Sequence, residues 1–365
     1  MNRIIYLIFI FLLTITDNSY SQAPKYSNEF LAIGVGARSL GMSNSVIASV
    51  NDVTAGYWNP SRLHNITANR QLSFMHAEYF AGIAKYDYAG VGAIIDDRSA
   101  VALSVIRFGV DNIPNTTELV DNQGYINYDK ITTFSAYDMA ILLSYGRQGP
   151  SESIWREKNI SYGGSIKIIR RKIGDFANAW GFGLDGAISY VHAEWLFAAV
   201  ARDVTSTFNA WSFSLSDRMK EVFTITGNEI PENSLEITMP RLLLGGGRKI
   251  NISPSFYILP EIGLDITTDG KRNVPLKTNV FSIDPHLGIE FCFKQVIYFR
   301  AGIGNIQQET SSKGELTTTF QPNMGIGVQI GNSISLNYAL TDIGDQSIAL
   351  YSNIFSLYLS FNKSN

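Results

Sequence analysis

The run Ile354-Phe355-Ser356-Leu357-Tyr358-Leu359-Ser360-Phe361 decides the fold. Phe355, Leu357, Leu359 and Phe361 fall on one side of a period of two; Ser356, Tyr358 and Ser360 fall on the other. Successive side chains of a strand point to opposite faces, so this is a strand with one greasy and one hydroxyl-rich face.

The same alternation recurs upstream. Ile334, Leu336, Tyr338 and Leu340 alternate with Ser335, Asn337 and Ala339, and Met324, Ile326, Val328 and Ile330 with Gly325, Gly327 and Gln329. Ile297, Phe299, Ala301 and Ile303 alternate with Tyr298, Arg300, Gly302 and Gly304. Strands are expected near 70–77, 81–96, 99–109, 132–147, 159–173, 178–190, 193–204, 235–249, 252–268, 281–293, 295–305, 317–330, 332–344 and 352–361. That makes about fourteen, most near the ten or so residues with which a tilted strand crosses a membrane.

Connections carry an independent signal. Tight links are expected around Asp96-Asp97, Val191-His192, Ile250-Asn251, Lys294 and Gly331, and long ones over 111–131, 204–234, 269–280 and 305–316. The links at 148–158 and near Ile173 depart from this alternation, the first longer and the second shorter than its class. Short periplasmic turns alternating with long outer loops mark an outer-membrane barrel, whereas a soluble sandwich gives no reason for such alternation. The expected fold is therefore all-β: a transmembrane antiparallel β-barrel spanning 70–365, its even strand count placing both ends on the periplasmic side. Phe361, almost at the terminus, resembles the signal that barrel-assembly machinery reads, although Asn362 to Asn365 follow it.

Composition agrees. The chain has 365 residues, is 45% hydrophobic but only 17% charged, and carries 18 Tyr, 21 Phe and 31 Gly. Aromatics gather at both interfaces of membrane barrels. A net charge of −3 supplies no basic field for nucleic acid, and the single cysteine, Cys292, supports neither a disulfide framework nor a cysteine metal site. At the start, Arg3 precedes an apolar run from Ile4 to Ile15 that is too short to span a bilayer. Ser19-Tyr20-Ser21 offers a cleavage site, so residues 1–21 are expected to be a removed export signal.

Residues 22–69 then precede the first strand. The non-apolar strand faces are small (Gly163, Ser165, Gly302, Gly325, Gly327), where a water-filled porin would carry many charges. Such a lining leaves room for packed chain. Gly34, Gly36 and Gly41 allow close backbone approach, Asn59 before Pro60 is held extended, and Trp58 fills space. The segment is expected to be a hatch plugging the bore.

Phe30-Leu31-Ala32-Ile33, Gly36-Ala37-Arg38-Ser39-Leu40-Gly41-Met42, Asn51-Asp52-Val53-Thr54 and Tyr57-Trp58-Asn59-Pro60-Ser61, in that order, resemble the N-terminal signature of the PorV family. Phe208-Asn209-Ala210-Trp211 through Pro231-Glu232-Asn233 is also similar to its members. The resemblance implies a FadL-like, fourteen-stranded outer-membrane barrel of the type IX secretion system of Bacteroidetes-type bacteria. It implies a non-enzymatic role: taking exported cargo from the translocon by the cargo's C-terminal domain and passing it to surface attachment. The hatch residues it marks are Gly36, Ala37, Arg38, Gly41, Met42, Asn51, Asp52, Trp58, Asn59 and Pro60.

Catalytic constellations are scarce. His64, His76, His192 and His286 have no ligand-like mutual spacing, and no cofactor, metal or nucleic-acid partner is expected. Gly181-Phe182-Gly183-Leu184-Asp185-Gly186 matches a dinucleotide fingerprint but runs on as a strand instead of opening a helix. Arg170, Arg171 and Lys172 read as a charged rim near lipopolysaccharide phosphates. Residues 214–226 read as a short amphipathic helix, and Phe208, Trp211, Met219, Val222 and Phe223 as a partner-binding loop. Pro240, Pro254, Pro260 and Pro285 each remove a ladder donor, and the apolar phase slips across Pro240-Arg241, so this wall is expected to be locally weakened.

Two functions compete on one scaffold. A secretion accessory needs a filled bore and a partly apolar loop surface; a FadL-type channel for hydrophobic solutes needs a greasy pocket running from the outer loops to the hatch.

Overall fold

Alternating faces become strands that close on themselves. The computed structural model describes residues 27–120, 123–149, 159–310, 316–343 and 351–362; the expected export signal and the first hatch residues lie outside them. β1 (Arg70–Tyr79), β2 (Ala84–Asp96), β3 (Ser99–Asn115), β4 (Thr132–Gln148), β5 (Ile160–Ile173) and β6 (Ala177–His192) are unbroken. β7 comprises Trp195–Arg202 and Thr207–Phe213; β8 comprises Ser234–Thr238, Arg241–Arg248 and Ile250–Ser253. β9 (Phe256–Thr267), β10 (Ser282–Phe293), β11 (Ile297–Thr310), β12 (Leu316–Ile330), β13 (Ile334–Thr341) and β14 (Ser352–Phe361) complete the wall. Every neighbour pairs antiparallel, and β14 returns to β1, from Arg70 opposite Phe361 to Glu78 opposite Asn353. The result is a closed fourteen-strand barrel.

The face assignment follows the alternation. Ser352, Ile354, Ser356 and Tyr358 are buried toward the bore while Phe355 is 58% exposed outside. Outer rows on β9 and β10 are wholly apolar: Ile258, Pro260, Ile262, Leu264 and Ile266 lie opposite Phe291, Ile289, Leu287, Pro285 and Ile283. Such an exterior is stable against lipid and costly against water.

The hydrophobic core lies inside the bore, supplied largely by the hatch. Val35, Met42, Val46, Val53 and Leu63 have no exposed surface. The hatch contains short helices at Ala37–Gly41 and Ala55–Trp58 and a 3-10 stretch at Pro60–Asn65.

Three sequence expectations are corrected. The β8–β9 turn falls at Pro254-Ser255, not at 250–251, because proline needs no ladder partner in a turn. β7 continues past the expected end at 204, resuming beside β6 with Phe208 opposite Phe182. Phe208 and Trp211 are therefore strand residues, not loop residues. Thirdly, Pro260 and Pro285 do not weaken the wall: pairing runs without interruption from Phe256 opposite Phe293 to Thr267 opposite Ser282, through both. The slip at Pro240 is present, since Thr238 and Arg241, three apart, both reach hatch residues in the bore. The larger irregularity is at 203–206, where Asp203 and Ser206 have positive φ.

Candidate functional site

The hatch is fastened from bottom to top by contacts that explain its residue types. Asn59, extended at φ −156°, donates from Nδ2 to the Ile47 carbonyl at 2.6 Å and to Ser189 Oγ at 2.8 Å. Its Oδ1 accepts from the Ser61 hydroxyl at 2.6 Å. Pro60 lies against wall glycines: a methyl on Gly163 would fall 2.5 Å from the Pro60 carbonyl carbon, and one on Gly146 would strike the Pro60 oxygen. Trp58 is buried with its indole N–H donated to the Val35 carbonyl at 2.8 Å. Asp52 accepts the Thr54 N–H at 2.8 Å, bracing the Ala55 helix, whereas Asn51 is exposed.

Higher up, Gly36 takes φ +90°, a region closed to most side chains, and donates its N–H to Met75 Sδ. Ala37 donates to Ser356 Oγ at 2.8 Å. A methyl on Gly41 would sit 3.0 Å from the Gly325 Cα, so two glycines let hatch and wall touch backbone to backbone. Met42 is seated the same way against Gly288 and Gly302.

Arg38 is the electrostatic bolt. Its Nε donates to Glu290 Oε2 at 2.8 Å, and Arg300 Nε donates to the same oxygen at 2.7 Å. Arg300 also donates to Asn337 at 2.7 Å, and Tyr257 donates to the other Glu290 oxygen at 3.2 Å. A buried carboxylate survives only with such partners. Arg202 fastens the far side: it lies 4.5 Å from the Tyr57 ring centroid and donates to the Leu31 and Tyr57 carbonyls. At the β7 interruption, Lys167 Nζ lies 2.7 Å from Asp185 and 2.6 Å from Asp203, while the Val204 N–H still reaches the Leu184 carbonyl at 2.9 Å.

The expectation of an almost uncharged lining thus holds for β1–β3 and β12–β14 and fails between them. Lys167, Arg202, Glu261, Glu290 and Arg300 are all buried toward the hatch. The signal was available: in Ile166-Lys167-Ile168 and Ile289-Glu290-Phe291 a charge sits on the inward phase between outward apolar residues.

Above the hatch lies a vestibule of about 620 Å³. On one side it is lined by Tyr79, Phe80 and Phe108 with Ile33 and Leu40 of the hatch; the other carries Arg241, Asp265, Thr267, Arg272, Asp284 and His286. Glu29, at the top of the hatch, bridges Arg241 at 2.5 Å and Arg272 at 2.9 Å. Burial works against the Arg272 charge, but Asp269 and Glu29 more than offset it, and its pKa is raised. His286 contacts Ser45 Oγ at 2.8 Å through Nδ1 and Asp265 at 3.2 Å through Nε2. This resembles a hydrolytic row, but Ser45 is fully buried, so the contact serves as a hatch tether.

The remaining sequence candidates disperse. His64 contacts the Ser61 carbonyl at 2.9 Å, His76 contacts Asp87 at 2.7 Å on the half-exposed outer face, and His192 ends β6. Arg171 turns inward to Asp138 and Glu236, whereas Arg170 lies over the Trp180 ring and Lys172 pairs with Asp175. The fingerprint glycines lie in β6: Gly181 and Gly186 are paired on both edges, and Gly183 on one, opposite the β7 interruption. Phe208 points outward; Trp211 donates to Glu236 at 2.7 Å. The loop helix is present at Asp217–Ile225, capped by Ser216, with Met219, Val222 and Phe223 half-buried.

No family model matches the chain, and no curated protein matches it. Solved structures do. It is similar to the Pseudomonas putida toluene transporter TodX, with a TM-score of 0.56 at 12% identity over 90% of this chain and 98% of that one. It is similar to the monoaromatic hydrocarbon channel CymD, with a TM-score of 0.53 at 13% identity over 91% and 99%. A Pseudomonas aeruginosa FadL homologue gives 0.53 at 10% identity over 90% and 98%. At these identities the likeness is one of fold.

Proposed function

We propose that this chain is an outer-membrane channel of FadL type, admitting small molecules with an apolar part from the outside through the vestibule and past the hatch. The observation that carries this reading is the vestibule itself: a cavity of about 620 Å³ at the mouth of a stoppered bore, with an aromatic wall facing a polar one. That volume suits a small-molecule ligand, typically about 300–1,000 Å³. The FadL-type architecture shared with TodX and CymD supports it. The test is uptake of radiolabelled toluene and 3-phenylpropan-1-ol into proteoliposomes. Entry faster than into protein-free liposomes, lost when the vestibule is blocked by a Phe108→Arg change, supports the channel; equal rates in both refute it.

A second reading is favoured by a different observation. The hatch is bolted by buried ion pairs, and the outer loop carries a capped helix with Met219, Val222 and Phe223. These features suit the secretion accessory expected from the PorV resemblance, which would engage translocon and cargo at the loops. Affinity purification of the tagged barrel from native membranes separates the two. A very large partner barrel, or exported proteins sharing one C-terminal domain, would support this role; lipid alone would support the channel.

A further inference from the structure

Resting on the channel reading, the geometry points to a ligand head that donates hydrogen bonds and carries positive charge: we infer that the vestibule takes an aryl or alkyl ammonium- or guanidinium-type amphiphile in preference to a carboxylate. The charges around the vestibule divide into those already engaged and those left over. Arg241 and Arg272 are the vestibule's strong cations, and Glu29 and Asp269 engage them: Glu29 bridges both, and Asp269 Oδ2 lies 2.5 Å from Arg272. Asp265 is engaged by His286. Both guanidinium groups are thereby committed to holding the hatch and the adjoining loop.

What remains on the same wall accepts or awaits hydrogen bonds. Asp284 lies opposite Asp265 across the β9–β10 ladder, and its Oδ1 is buried with no hydrogen-bond partner. Thr267, two residues beyond Asp265, is only 7% exposed, and its Oγ1 is likewise buried without a partner. Both residues line the vestibule. The neighbouring Ser282 hydroxyl cannot serve them, being donated to the Gly270 carbonyl at 2.9 Å while accepting the Arg272 N–H at 2.8 Å. Buried polar atoms left unpaired are costly, so a ligand that satisfies them gains what they lack. A carboxylate could accept from the Thr267 hydroxyl but has no proton for Asp284 and would stand beside it with Arg241 and Arg272 already engaged. A guanidinium head supplies donors to whichever of the two side chains turns its buried oxygen toward the vestibule, and its apolar remainder lies toward Tyr79, Phe80 and Phe108.

The test uses three matched probes, 2-phenylethylguanidinium, 3-phenylpropionate and 3-phenylpropan-1-ol. Binding is read by calorimetry on the full barrel in lipid nanodiscs, with empty nanodiscs subtracted. The guanidinium is expected to bind at least about tenfold tighter than the carboxylate. Asp284→Asn should reduce that ratio to below about threefold, and Thr267→Val should weaken the guanidinium and the alcohol. The same variants are checked for the intact barrel by their mobility in unheated gels. Equal or tighter carboxylate binding, or a preference that survives Asp284→Asn, overturns the inference. Flux of the same probes into proteoliposomes judges the channel separately: faster entry than into empty liposomes keeps that reading even when the head preference fails, and no flux with no binding sinks both.

Discussion

Gly163 carries no side chain because the hatch backbone occupies the space one would fill. A methyl there would approach the Pro60 carbonyl carbon and the Ser61 nitrogen at 2.5 Å, closer than any real contact allows. Neither neighbour is the tip of a flexible chain, so the hatch itself must move. Gly163→Ala is expected to leave the barrel assembled while costing about 1–3 kcal/mol of hatch seating. Hydrogen exchange should quicken at 59–65; unchanged protection there would contradict the fit. Glu290 is the second decisive residue. Glu290→Gln leaves Arg38 and Arg300 buried without their counter-charge, a loss on the order of 3–5 kcal/mol. Faster exchange of the hatch amides near Ala37–Gly41 is the expected readout, with part of the loss recovered when Arg38→Met is added. No effect from Glu290→Gln would mean that the bolt is ornamental.

Among elements, β7 is the least regular and was the least legible. The strand was expected to end at 204 and a long loop to run from there to 234, yet the ladder resumes at Thr207. The interruption is sustained by Lys167 between Asp185 and Asp203 on neighbouring strands, a tertiary arrangement with no local signature. Lys167→Met removes the cation from two buried carboxylates. Exchange of the Val204 amide should accelerate while the β9–β10 ladder stays protected; uniform behaviour of both ladders would show that the break is held by something else. Apart from the β8–β9 turn, the period of two was enough to find the strands, because one face of each is apolar and the other faces the bore. The hatch contacts were partly legible: Gly36, Gly41, Trp58, Asn59 and Pro60 have types that only close packing explains. The vestibule was not, since Glu29, Arg241, Arg272 and Asp284 lie far apart in the chain and meet only after closure. Its polar half also departs from the continuous greasy pocket that a simple hydrocarbon channel would have.

On the scale of the whole molecule, the exterior and the bore solve one problem together. Apolar outer rows require lipid, and a closed ladder leaves no edge strand inside it. A bore lined by Gly and Ser would otherwise hold water, and the leading residues fill it with Val35, Met42, Val46 and Leu63. Ion pairs at Arg38 and Glu29, with the Arg202 hydrogen bonds, then determine how firmly that filling is held. The most direct measurement is ion conductance across a planar bilayer, comparing the intact chain with one lacking residues 27–66. The intact barrel is expected to be silent or nearly so, and the shortened one to form a steady, wide conductance. An intact barrel that conducts as freely as the shortened one would contradict a stoppered bore.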